Sequence, residues 1–177
     1  MIKVSSPTQT IFEQGTLSNT GLDHWNANSS GNGQLKRIEL DDSFRARHGY
    51  AVIGNAVNTN RDASIRVPIT PNSGKYTLSV KFKLVPDTPG SAIPLARIWS
   101  DSKMEWIGYG DRTKIDTWVT NSWQIDTANW GPAAYETLQI GLNGSGSIYI
   151  AEPQLEKGTV AHDYMPSPYD NSLDWRY

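Results

Sequence analysis

The chain has 177 residues, near the usual size of one domain, and its 16 basic and 18 acidic side chains leave a formal charge of −2. That balance excludes the strong basic footprint expected of a nucleic-acid binder or of a protein that docks on an anionic membrane. There is no cysteine, which excludes disulfides, zinc–thiolate sites and cysteine nucleophiles, and no apolar run approaches the ~20 residues that span a bilayer.

In chain order, Met1 to Pro7 lacks the apolar stretch of a signal peptide, so no secretory leader is expected at the start. Period-2 alternation then recurs, with strands expected at 35–41, 50–54 and 63–69. The clearest strand is 75–84, with Tyr76, Leu78, Val80, Phe82 and Leu84 on one face and Thr77, Ser79, Lys81 and Lys83 on the other. Asn72-Ser73-Gly74 precedes it as a turn and Pro86-Asp87-Thr88-Pro89-Gly90 closes it. Further strands are expected at 93–99, 104–109, 113–119 and 122–126. The last two, 136–142 and 147–152, flank Asn143-Gly144-Ser145-Gly146 and read as a hairpin. Short strands at this spacing with turn residues between them predict an all-β fold, an antiparallel β-sandwich or barrel. No linker divides the chain, so residues 1–165 are expected to form one domain and 166–177 an exit segment.

The aromatic usage is uneven: 7 Trp and 8 Tyr stand against 3 Phe. Trp and Tyr carry a polar tip on an apolar body and suit half-exposed surfaces. Sugars present apolar C–H faces rimmed by hydroxyls, so their binders pair flat aromatic platforms with polar groups. The densest such region is 97–130, with Arg97, Trp99, Trp106, Tyr109, Asp116, Trp118 and Trp130 as candidate ligand-binding residues and Tyr50 as a weaker one. On the expected strands Arg97 shares a face with Trp99, and Asp116 shares a face with Trp118. Cross-strand pairing then predicts Arg97, Trp99, Asp116 and Trp118 on one surface. Taken singly, each of these Trp residues also fits a packing role.

Ile148-Tyr149-Ile150-Ala151-Glu152-Pro153-Gln154-Leu155-Glu156-Lys157-Gly158 and the run Thr159 to Pro168 resemble the closing strand of sandwich modules in bacteriophage tail proteins of Gram-positive hosts. Gly21-Leu22-Asp23-His24-Trp25, Gly74 to Val80 and Ser122-Trp123-Gln124 are similar, in the same order, to segments of carbohydrate-binding jelly rolls. The resemblance implies a galactose-binding-domain-like jelly roll acting as a carbohydrate-binding module in a phage baseplate, distal tail protein or tail fibre. Its partners would be host cell-wall polysaccharide and other phage tail proteins, its location the virion tail, and Trp25 and Trp123 would be packing residues. The resemblance also implies a structural calcium ion held by Glu13 and Glu152.

Catalytic signatures are missing. His24, His48 and His162 lack metal-ligand spacing, and no Gly-x-Ser-x-Gly elbow or phosphate loop occurs. Asp101, Glu105, Asp111 and Asp116 could supply a glycosidase pair, but surface acids are common. The expectation is therefore a non-catalytic module. The alternatives are a structural tail domain that contacts only protein, and an accessory module of a polysaccharide hydrolase.

Overall fold

The computed structural model describes residues 26–29, 34–54, 62–69, 74–100, 104–127 and 136–165. Every regular element among them is a strand: β1 (Asn26–Ser29), β2 (Gln34–Glu39), β3 (His48–Gly54), β4 (Asp62–Ile69), β5 (Lys75–Pro86), β6 (Ala92–Ser100), β7 (Met104–Tyr109), β8 (Trp118–Asp126), β9 (Glu136–Gly144) and β10 (Gly146–Lys157). They form two five-stranded sheets, one in the order β1-β4-β9-β6-β7 and the other β2-β3-β10-β5-β8. All strand pairs are antiparallel.

The alternation of β5 decides how the second sheet sits. Tyr76, Leu78, Val80, Phe82 and Leu84 all point inward and are buried. They meet Leu138, Ile140 and Leu142 of β9 and Ala96 and Ile98 of β6 from the first sheet, and Ile148, Ile150 and Leu155 of β10 join the same cluster. Burying side chains of this size contributes roughly 1.5–3 kcal/mol each, which makes the inter-sheet layer the main stabilising element. Trp123 of β8 also faces inward, tilted against Phe82 at 6.0 Å between ring centroids. Gly108 makes room for it, because a Cβ at that position would strike the Trp123 indole.

Three expectations differ from the structure. The run 143–146 does not close a hairpin: β9 lies in the first sheet and β10 in the second, so the turn is an arch across the core. Gly144, with φ of 108°, makes the corner against the Ser91 carbonyl, where a Cβ has no space. Residues 113–117 do not form a strand, and β8 instead begins at Trp118. Asp111 folds this segment by accepting the Thr113 N–H (2.7 Å) and hydroxyl (2.6 Å), and Asp116 takes a left-handed φ of 51° while donating its N–H to the Leu84 carbonyl. β10 runs on past 152 to Lys157, through a bulge between Ala151 and Gln154 where Glu152 has a φ of 49°. Pro153 sits in that bulge, where no ladder donor is required. The short β1 was not anticipated, and the expected exit segment 166–177 lies outside the described residues.

Candidate functional site

The outer face of the second sheet is divided in two. Over the C-terminal half of β10 it is covered. The loop 40–47, closed by the Leu40 N–H to the Arg47 carbonyl (2.8 Å), lays Leu40, Phe44 and Ala46 against Ala151 and Tyr164. Glu152 anchors this loop: one oxygen accepts the N–H groups of Arg45 (2.6 Å) and Ala46 (3.1 Å), and the other pairs with Lys81 Nζ at 2.6 Å. Gln154 accepts the Met165 N–H at 2.6 Å. Glu156 holds His162 at two points, the backbone N–H at 3.0 Å and Nδ1 at 2.9 Å. The closing segment 158–165 is thus folded back onto the sheet by polar side chains of β10, and the Arg45 guanidinium donates to the Tyr164 carbonyl at 3.0 Å. The three polar residues Glu152, Gln154 and Glu156 are all buried there, and each has its partners.

The other half lies beyond the loop 40–47 and the segment 158–165 and is open in that sense, with Trp118, Lys83 and Tyr149 partly exposed and Ala51 buried. Strand register aligns Trp118, Lys83, Tyr149, Ala51 and Lys36 in one row across β8, β5, β10, β3 and β2. Lys83 Nζ lies 4.6 Å from the Tyr149 ring centroid and 5.9 Å from that of Trp118. Its nearest acid among the described residues is Asp116, 3.6 Å away. Val85, Ser147 and Ile53 form the adjacent row, and Ile53 is 39% exposed although apolar. Trp118 marks the boundary, since Phe44 of the covering loop packs edge-on against it at 5.0 Å. The open half therefore offers two aromatic rings flanking a lysine ammonium, with an exposed carboxylate at the margin. That combination can stack on an apolar ring face and donate hydrogen bonds beside it.

The structure brings together only part of the set read from sequence. Asp116 and Trp118 are linked through Lys83, on the second sheet. Arg97 belongs to the first sheet and does not share their surface. It lies on the side of β6 opposite the core residues Ala96 and Ile98, is 8% exposed, and donates from Nε to Gln139 Oε1 at 2.5 Å. The expected common surface therefore does not form. It rested on strands from one sheet, whereas β6 and β8 lie in different sheets. Trp99 and Trp106 are placed by backbone register in β6 and β7, with Trp106 opposite Arg97. Tyr109, 57% exposed, ends the edge strand β7 away from the row. Tyr50 is a core residue, while Trp130 and Glu13 lie outside the described residues.

Glu152 does not fit the calcium role. Both of its oxygens are taken by donors, two backbone N–H groups and an ammonium, so the bulge already has its cation in Lys81. Hydrogen bonds from the Thr113 hydroxyl and then its backbone N–H hold the Asp111 carboxyl below its ordinary value. Tyr149, Lys83, Lys36 and Ile53 were missed. Alternation did assign Lys81 and Lys83 to the solvent side of β5, but the pairing of β10 with β5, which sets Tyr149 beside Lys83, is not written in either strand.

No protein-family model matches this sequence, and no curated protein matches it. Solved structures do match. The xylan-binding domain CBM22-1 of Paenibacillus barcinonensis Xyn10C superposes with a TM-score of 0.61 at 12% identity, over 89% of this chain and all (100%) of that one. A family 61 carbohydrate-binding module solved with β-1,4-galactotriose gives 0.57 at 6% identity, over 85% of this chain and 100% of that one. The enzymatically active domain of bacteriophage CBA120 tailspike protein 4 gives 0.54 at 10% identity, over 81% of this chain and 21% of that one. The chain is an antiparallel β-sandwich of the jelly-roll kind seen in carbohydrate-binding modules.

Proposed function

We propose that this chain is a non-catalytic carbohydrate-binding module of a phage tail adhesion device, and that it recognises saccharide of the host cell wall. The observation that carries the reading is the open half of the second sheet, where Tyr149 and Trp118 flank Lys83, all three partly exposed, beyond the loop 40–47 and the segment 158–165. The sandwiches it superposes on support a saccharide ligand, since their names describe binding to xylan or a complex with galactotriose. The phage setting is supported by the likeness of the closing segment to phage tail modules and by the tailspike among the similar folds. The hydrogen bonds made by the buried Glu152, Gln154 and Glu156 give that closing segment a structural purpose, which separates it from the ligand surface.

Saccharide hydroxyls are well hydrated, so each hydrogen bond contributes little net affinity, and a single site binds weakly. Many copies on one virion would convert weak sites into firm adhesion. The test is binding of the labelled chain, monomeric and multimerised, to Gram-positive cells before and after removal of wall polysaccharide. Binding by the multimer that disappears with the polysaccharide is the expected result. Binding that survives its removal contradicts the proposal and favours a protein partner.

A further inference from the structure

Two lysines on the same face of β5 meet opposite surroundings. Lys81 is neutralised by the buried carboxylate of Glu152 at 2.6 Å and lies 5.0 Å from the Phe44 ring, beside the covering loop. Lys83, two residues later, lies in the other half with its side chain 28% exposed against 34% for Lys81, so the two differ in their acidic partners and not in exposure. Among the described residues the only acidic neighbour of Lys83 is Asp116 at 3.6 Å, whose side chain is 70% exposed. That distance is too long for a charge-assisted hydrogen bond, and a lysine ammonium carries three donors. The rings of Tyr149 and Trp118 attract the ammonium electrostatically and hold it over the platform without consuming those donors. Lys36 extends the same row to the sheet edge, exposed and with no ion pair among the described residues. Three strand spacings separate Lys83 from Lys36, about 14 Å, with Tyr149 between them.

We infer that the open half takes an anionic saccharide, one bearing a carboxylate or a phosphate, with Lys83 meeting the anion while Tyr149 stacks on the sugar. This rests on the saccharide-binding reading and narrows it to a ligand class. The chain's formal charge is −2, so its overall field does not recruit polyanions, and any preference must come from this local arrangement.

The experiment is calorimetry of the whole chain against four probes: polygalacturonate for carboxylate, a glycerol-phosphate teichoic acid for phosphate, and neutral xylan and β-1,4-galactan. One or both anionic probes are expected to bind about tenfold more tightly than the neutral ones, with the advantage shrinking as salt rises from roughly 50 to 500 mM. Lys83→Gln should remove that advantage, Lys83→Arg should keep most of it, and Lys75→Gln, eight residues away on the same strand, should leave it unchanged. Circular dichroism confirms that each variant is folded. Neutral glycans bound as tightly as anionic ones, with Lys83→Gln without effect, overturn the inference and leave saccharide binding standing. No binding to any of the four overturns both.

Discussion

The two halves of the second sheet's outer face share the strands β10 and β5 and yet do opposite things. In the covered half, β10 presents Ala151, Glu152, Gln154 and Glu156, all buried and all enclosed by the loop 40–47 or the closing segment. In the open half it presents Ser147 and Tyr149, only partly buried. The lesson concerns charge. A buried carboxylate with its partners in place, such as Glu152, is a fastening, and its lysine is spent on it. On the proposed reading, a lysine set between two rings and weakly matched to a surface acid is available to a ligand. Composition alone does not separate the two, because Lys81 and Lys83 are the same residue type on the same face.

The sharpest way to break the contrast is Glu152→Ala. It strips an acceptor from two backbone N–H groups and leaves Lys81 beside a hydrophobic loop, so a loss of about 3 kcal/mol is expected, read as a melting temperature lowered by roughly 10 °C. Glu156→Ala should cost about 2 kcal/mol by freeing His162, and protease sensitivity confined to 158–165 would report that release. Tyr149→Ala lies on the other side of the divide. Its melting temperature should shift by no more than about 2 °C, while saccharide affinity falls about tenfold, or about 1.4 kcal/mol. Arg45→Ala, which removes an exposed contact to Asp163 and a bond to the Tyr164 carbonyl, should cost only about 0.5–1 kcal/mol in a denaturant titration. A Tyr149→Ala variant that unfolds, or a Glu152→Ala variant that is fully stable, would erase the distinction between the halves.

Much of the fold was legible because alternation is a local property. The inward set of β5 and the strands β3, β4, β6 and β7 lie close to where period-2 reading puts them. What was not legible is non-local. The glycines of 143–146 look like a hairpin turn, and only the partners of β9 and β10 reveal an arch between sheets. The same limit undid the proposed surface of Arg97, Trp99, Asp116 and Trp118. Each pair was read within its own segment, and the segments belong to different sheets. Within 113–119, Asp116 in a left-handed conformation ends the alternation; aspartate tolerates that conformation better than most residues, but it also sits in turns and on exposed faces without adopting it, so the type alone does not fix it. Tyr149 escaped notice because it sits in a segment whose neighbours Ile148 and Ile150 are core residues.

Amide chemical-shift mapping with solubilised host-wall saccharide tests the central claim most directly. Perturbations clustered at Lys83, Tyr149, Ile53 and Trp118 are the predicted result. Perturbations confined to β6 and β7 around Arg97 and Tyr109, with the second sheet unmoved, would contradict it.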